Sequence, residues 1–147
     1  MKLLLIDDND SIHAAFVATL SPEDTLISVV NQSDGMAAYQ TDKTIDCIIF
    51  DTTESPQSTR DMFAAIRYND PSVGIVIYSG RAHDVARILP LGVNAVFDKS
   101  TSVVEVVHAA RRASLLSRQN ADMTFAESVL DGFIEAGEQF LSFGRVR

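Results

Sequence analysis

Two adjacent carboxylates, Asp7 and Asp8, directly follow the apolar run Leu3-Leu4-Leu5-Ile6, and a third, Asp51, follows Cys47-Ile48-Ile49-Phe50. A hydroxyl, Ser79, follows Ile75-Val76-Ile77-Tyr78, and an amine, Lys99, comes just after Ala95-Val96-Phe97. If these runs are neighbouring parallel strands, all five side chains converge on one crevice beyond the strands' carboxyl ends. That is where open α/β sheets bind ligands and carry out chemistry.

Three carboxylates in one crevice repel, by roughly 4 kcal/mol for a pair about 4 Å apart at an effective dielectric near 20. Such a cluster persists when a divalent cation neutralises it or when one acid stays protonated. Oxygen donors without His or Cys favour a hard ion, and Mg²⁺ is the natural choice. A metal there prepares Asp51 to accept a phosphoryl group, with its carboxylate as nucleophile. Lys99 then counters charge developing on the transferred oxygens. Ser79 can hydrogen-bond one phosphoryl oxygen, and Gly80 leaves room for the group to enter.

The elements that must hold these groups read as alternating apolar runs and helical periodicity. Strands are expected over 2–6, 26–30, 46–50, 73–78 and 95–97. The first helix has Asp10 or Ser11 as its cap and Ile12, Ala15, Phe16, Thr19 and Leu20 on one face, and Ser21-Pro22 ends it. Ser33 or Asp34 caps a second, short helix through Met36, Ala37 and Tyr39. Further helices are expected over 58–68, 83–89 and 102–116. Strands that are apolar without alternation imply a sheet covered on both faces, hence five βα units around a parallel sheet. The long connection is Thr52 to Thr59, immediately after Asp51, at the sheet edge where function concentrates.

The totals suit one soluble domain: 147 residues, 46% hydrophobic and 22% charged. A formal charge of −8 disfavours direct contact with nucleic acid, which needs a basic face. Cys47 lies inside a strand run and reads as a buried apolar residue in a reducing compartment. No stretch approaches the roughly 20 apolar residues that span a bilayer, so no membrane partner and a cytoplasmic location are expected. Residues 119–147 fall outside the fifth unit, leaving 1–118 as the main domain. In this extension Ala126, Val129, Leu130, Phe133, Ile134, Phe140 and Leu141 recur at helical intervals, with Glu127, Asp131, Glu135 and Glu138 opposite. Such an amphipathic helix packs on its own domain, docks on a partner, forms a homodimer or begins a linker.

Across residues 1–118 the chain resembles the receiver domain of two-component response regulators. The resemblance rests on Leu-Ile-Asp-Asp at 5–8, Ser-Asp-Gly at 33–35 with Ala37-Ala38, the strand end at Asp51, Tyr-Ser-Gly at 78–80 and Phe-Asp-Lys at 97–99. It implies a flavodoxin-like (βα)5 three-layer sandwich with strand order 2-1-3-4-5. It implies that Asp51 accepts phosphoryl from a sensor histidine kinase or phosphotransfer protein. Mg²⁺ would be held by Asp7, Asp8, Asp51 and the backbone carbonyl of Thr53, with Ser79 as switch hydroxyl and Lys99 as the family's lysine. The switch would be read by a downstream protein target or an output domain beyond this sequence, through the surface of 83–89, 95–97 and 102–116.

Three positions depart from the family pattern. Val96 stands where a switch aromatic is usual, with Phe97 expected on the opposite face of its strand. Ser100 replaces the proline after the lysine, so a trans Lys99–Ser100 peptide is expected. The loop after Asp51 has Ser55-Pro56 and no glycine through Asp61. Arg81 and Thr53 are placed to flank the phosphoryl group and set its hydrolysis rate. His13, His83 and His108 lack ligand spacing. One alternative is a haloacid-dehalogenase-type phosphatase built on Asp8-Asn9-Asp10, which leaves Asp51 without a role. The other is a pseudo-receiver that binds partners without phosphorylation.

Overall fold

The computed structural model describes residues 1–52, 56–83 and 92–119. Its strands are β1 Lys2–Ile6, β2 Thr25–Val29, β3 Cys47–Phe50, β4 Gly74–Ser79 and β5 Ala95–Asp98, and its helices are α1 Asp10–Thr19, α2 Gln32–Thr41, α3 Pro56–Asn69 and α4 over residues 103–119. The strands form one five-stranded sheet in the order β2-β1-β3-β4-β5, and every pairing is parallel. This is the expected α/β order. The expected helix over 83–89 falls mostly, and the amphipathic extension over 119–147 almost wholly, outside the described residues.

Alternation along each strand builds two cores. Leu4, Ile6, Ile48, Phe50, Ile75 and Ile77 face Tyr39 of α2 and Met62, Phe63 and Ile66 of α3. Leu3, Leu5, Cys47, Ile49, Val76 and Tyr78 face Phe16 of α1 and Val106, Val107, Ala110 and Ala113 of α4. Both sheet faces are therefore covered, which explains strands without polar alternation. Cys47 is fully buried, and burial pushes its thiol well above the ordinary range.

Two helix caps differ from those read in the sequence. Asn9, not Asp10 or Ser11, caps α1 by accepting from Ser11 N at 2.9 Å. Asn31, not Ser33 or Asp34, caps α2 by accepting from Asp34 N at 2.9 Å, and its amide donates back to Asp34 Oδ2 at 2.9 Å. In each case the acid lies inside the first turn, where it complements the helix dipole instead of capping. Strand limits shift by a residue at most positions, as expected for element ends.

α2 approaches β1 so closely that a Cβ on Gly35 would lie 2.2 Å from Ile6 Cδ1. Glycine is required there for contact, not for backbone shape. Gly92, with φ of 130°, is required for shape. Its carbonyl accepts from the Arg67 guanidinium, which also donates to Val73 O at 2.6 Å. One side chain of α3 thus fixes both the entry to β4 and the approach to β5.

Candidate functional site

The register of the sheet assembles the site. Ile6 pairs with Phe50, so the next residues, Asp7 and Asp51, emerge side by side at the carboxyl edge. Backbone bonds extend the ladder: Asp7 N donates to Val29 O at 3.1 Å and Asp51 N to Ile6 O at 2.9 Å. Asp7 is 2% exposed and Asp51 7%, while Asp8 is open to solvent. Carboxylate oxygens of Asp7, Asp8 and Asp51 all lie within 4.8 Å of one another. Ionised carboxylates at that spacing repel by roughly 3 kcal/mol or more per pair at an effective dielectric near 20.

Lys99 supplies the opposite charge from the far side of the sheet. Its Nζ lies 2.5 Å from Asp51 Oδ2 and 2.8 Å from Asp7 Oδ2. Burial works to lower the pKa of this amine, but its bond to Asp51 and the close negative charges of Asp51 and Asp7 outweigh it and leave the ammonium above its ordinary range. The approach to Asp7 is close without being aligned, so this buried Oδ2 receives no well-directed hydrogen bond. A buried carboxylate oxygen without an aligned donor, grouped with two more carboxylates and, among the described residues, with no imidazole or thiolate in the ligand group, is what a hard divalent cation fits.

Lys99 is aimed by the turn that follows β5. Thr101 N donates to Asp98 O at 2.9 Å and Ser100 N to Asp98 Oδ1 at 2.9 Å, closing the chain around Lys99. The Tyr78 hydroxyl donates to Thr101 O at 3.0 Å and approaches Lys99 O at 3.3 Å. The Lys99–Ser100 peptide is trans, as Ser100 implied. Side-chain bonds shape this turn in the absence of a proline. In the sequence Tyr78 stood out as part of the Tyr-Ser-Gly motif, but nothing there marked its bonds to the turn after β5.

Ser79 ends β4 one strand away and is 1% exposed. Its Oγ lies 2.6 Å from Thr52 Oγ1 and accepts from Arg81 N at 3.2 Å. Arg81 Nη2 donates to Thr52 O at 2.7 Å, so Arg81 does reach the loop after Asp51. Thr53, expected to lend a backbone carbonyl, lies outside the described residues. Among those residues a Cβ on Gly80 would meet nothing within 4 Å, so there is open space at this position beside Ser79.

Thr52 was missed as a contributor because a threonine after a strand-end acid looks like ordinary loop composition. His13 carries a supporting bond: its Nε2–H donates to the Asp7 carbonyl at 2.6 Å. Asn9 N donates to Asp7 Oδ1 at 2.9 Å, fixing that carboxylate from the start of α1. Asp10 is exposed in the first turn of α1 and stands apart from the three carboxylates, whereas Asp51 is among them. This disposition does not favour a nucleophile and acid drawn from Asp8 and Asp10. Val96 is 38% exposed, while Phe97 packs on the opposite face with the α1–α4 core.

No family model and no curated protein matches this chain. Solved structures do. A CheY-like response regulator receiver domain protein from Methanospirillum hungatei JF-1 is similar with a TM-score of 0.70 and 13% identity, over 81% of this chain and 97% of that one. A sensor protein from Polaromonas sp. JS666 gives 0.68 and 15%, over 79% and 97%. A response regulator from Thermotoga maritima, solved in complex with Mg²⁺ and BeF, gives 0.65 and 13%, over 76% and 97%. These similar solved structures are mostly response regulator receiver domains, and the strand order matches that CheY-like fold. Others, from Staphylococcus aureus and Silicibacter pomeroyi, are described as LuxR-family DNA-binding response regulators, so the fold itself does not exclude a nucleic-acid partner.

Proposed function

We propose that this chain is a phosphorylation-dependent receiver whose phosphoacceptor is Asp51. The observation that carries the reading is the convergence of Asp7, Asp8 and Asp51 within 4.8 Å, with the Lys99 ammonium against Asp7 and Asp51. A carboxylate oxygen of Asp51 attacks the phosphorus of a phosphohistidine on a sensor kinase or phosphotransfer protein. The P–N bond breaks, and an acyl phosphate forms on Asp51. Asp7, Asp8, Asp51 and the Thr53 carbonyl would hold Mg²⁺, which neutralises the oxygens brought together there. Lys99 exchanges part of its contact with Asp51 for a phosphoryl oxygen, and Ser79 donates to another. The protein acts as a substrate and switch in signalling and turns over only its own phosphoryl group. Arg81, which reaches Thr52 O, and Thr53, two residues past Asp51, set how readily water attacks the phosphoryl group.

Phosphorylation shifts an existing equilibrium at the surface of β5 and α4, which a downstream target or output domain reads. Residues 1–118 form the signalling module. The sequence of residues 119–147, amphipathic at helical spacing, suits packing on the module, dimerisation or a linker. Among the described residues no helix is long and apolar enough to cross a membrane.

Incubation with Mg²⁺ and acetyl phosphate, read by intact mass, tests the reading. One added phosphoryl group on the wild type, absent from Asp51→Asn, is expected. A second reading, an interaction module that is never phosphorylated, is favoured by Val96 at the usual aromatic position. That module would show no mass gain in either protein and no Mg²⁺ binding.

A further inference from the structure

We infer that Thr52 is a positioning residue, holding the Ser79 hydroxyl out of the phosphoryl site until a phosphoryl group competes for it. The inference rests on the receiver reading of Asp51. Thr52 directly follows Asp51 and is 3% exposed, and Ser79 is 1% exposed. Their oxygens lie 2.6 Å apart, and either hydroxyl can donate. In both cases a turn of Ser79 toward Asp51 breaks this bond and strands the Thr52 hydroxyl in a buried position. A β-branched side chain is stiff at χ1, so a buried Thr52 cannot readily follow. Arg81 strengthens the latch at both ends, through its N–H to Ser79 Oγ at 3.2 Å and its guanidinium to Thr52 O at 2.7 Å.

Two hydroxyls are thus matched to each other where the proposed chemistry asks one of them for a phosphoryl oxygen. A buried hydrogen bond of this kind biases the equilibrium between the two Ser79 positions by roughly three- to tenfold. Thr52→Val keeps the shape of the side chain and removes the bond. Thr52→Ser keeps the bond.

The test measures binding of beryllofluoride, as a phosphoryl mimic, at saturating Mg²⁺, with Mg²⁺ affinity measured separately. Thr52→Val should bind beryllofluoride roughly three- to tenfold more tightly, with Mg²⁺ affinity unchanged and Thr52→Ser close to wild type. A fold merely loosened by the substitution would weaken both ligands. Wild-type or weaker beryllofluoride affinity in Thr52→Val overturns the inference. If wild-type protein binds Mg²⁺ but no beryllofluoride, the receiver reading fails, and the Ser79 χ1 couplings of the ligand-free proteins decide about Thr52. Averaged rotamers in Thr52→Val against one fixed rotamer in wild type support the latch, and one fixed rotamer in both overturns it.

Discussion

Lys99 carries the electrostatics of the site in a single side chain. Its ammonium stands against Asp51 and Asp7, where a divalent cation would also act, so amine and metal compete for the same carboxylate charge. Lys99→Met should therefore bind Mg²⁺ more tightly, by roughly tenfold given charges a few ångströms apart. The same variant should no longer gain mass from acetyl phosphate. Calorimetric Mg²⁺ titration beside the mass measurement separates the two effects, and weaker Mg²⁺ binding would refute the competition. The amine also has a pH signature. Burial opposes its charge, but Asp51 and Asp7 prevail and raise its pKa in the folded state. Its contribution to metal-free stability is thus complete below about pH 10.4, the unfolded value, and is lost as pH rises through the folded value. Urea unfolding should give a constant difference between wild type and Lys99→Met from neutral pH to about pH 10, narrowing only above that.

At the scale of elements, the strand ends that place the acids, the hydroxyl and the amine were legible, because runs of three or four consecutive apolar residues ending in polar ones leave few alternatives. What held those ends in place was less legible. Asparagines cap α1 and α2 where neighbouring acids seemed equally able, since Asn, Asp and Ser cap almost equally well. The bonds from Tyr78 to the turn at 99–101 and from Thr52 to Ser79 join residues more than twenty apart in sequence, and no local pattern announces them. Gly35 is an intermediate case, recognisable in a motif but explained only by its contact with Ile6. Gly35→Ala should cost about 1–3 kcal/mol by overpacking. It should also weaken Mg²⁺ binding, because Ile6 leads directly into Asp7. Ile6→Val removes the Cδ1 carbon that a Cβ would meet at 2.2 Å. The double variant should therefore recover part of both losses, and strictly additive urea-unfolding energies would show that the contact is not the cause. Tyr78→Phe keeps the ring in the core and removes the bond to Thr101. It should speed amide exchange at 99–101 and slow phosphorylation while leaving Mg²⁺ affinity unchanged.

For the molecule as a whole, the sheet edge opposite the acids shows how the chain is tied together. No local pattern marks Asp24, in the turn before β2, as the residue that joins distant segments. Its side chain is fully buried and lies 2.7 Å from Arg111 Nη2 of α4 and 3.0 Å from the Met1 ammonium. These bonds link the start of β1, the approach to β2 and the helix that completes the second core. Burial favours the neutral carboxyl, yet the bonds from Arg111, the amino terminus and Ser21 N together hold its folded pKa below the ordinary carboxylate range. A depressed folded pKa means that the stabilisation is present above the unfolded value, about 3.9, and is lost as pH falls through the folded one. Asp24→Asn keeps the shape but leaves two positive groups without their counter-charge, at a cost of about 3 kcal/mol at neutral pH. Urea unfolding of the two proteins should differ by that amount at pH 7 and converge as pH drops below about 3.9. Because Asp24 lies at the amino edge of the sheet and the three carboxylates at the carboxyl edge, Mg²⁺ affinity at pH 7 should be the same in both. A parallel loss of Mg²⁺ binding would mean that the tie at one edge sets the geometry at the other.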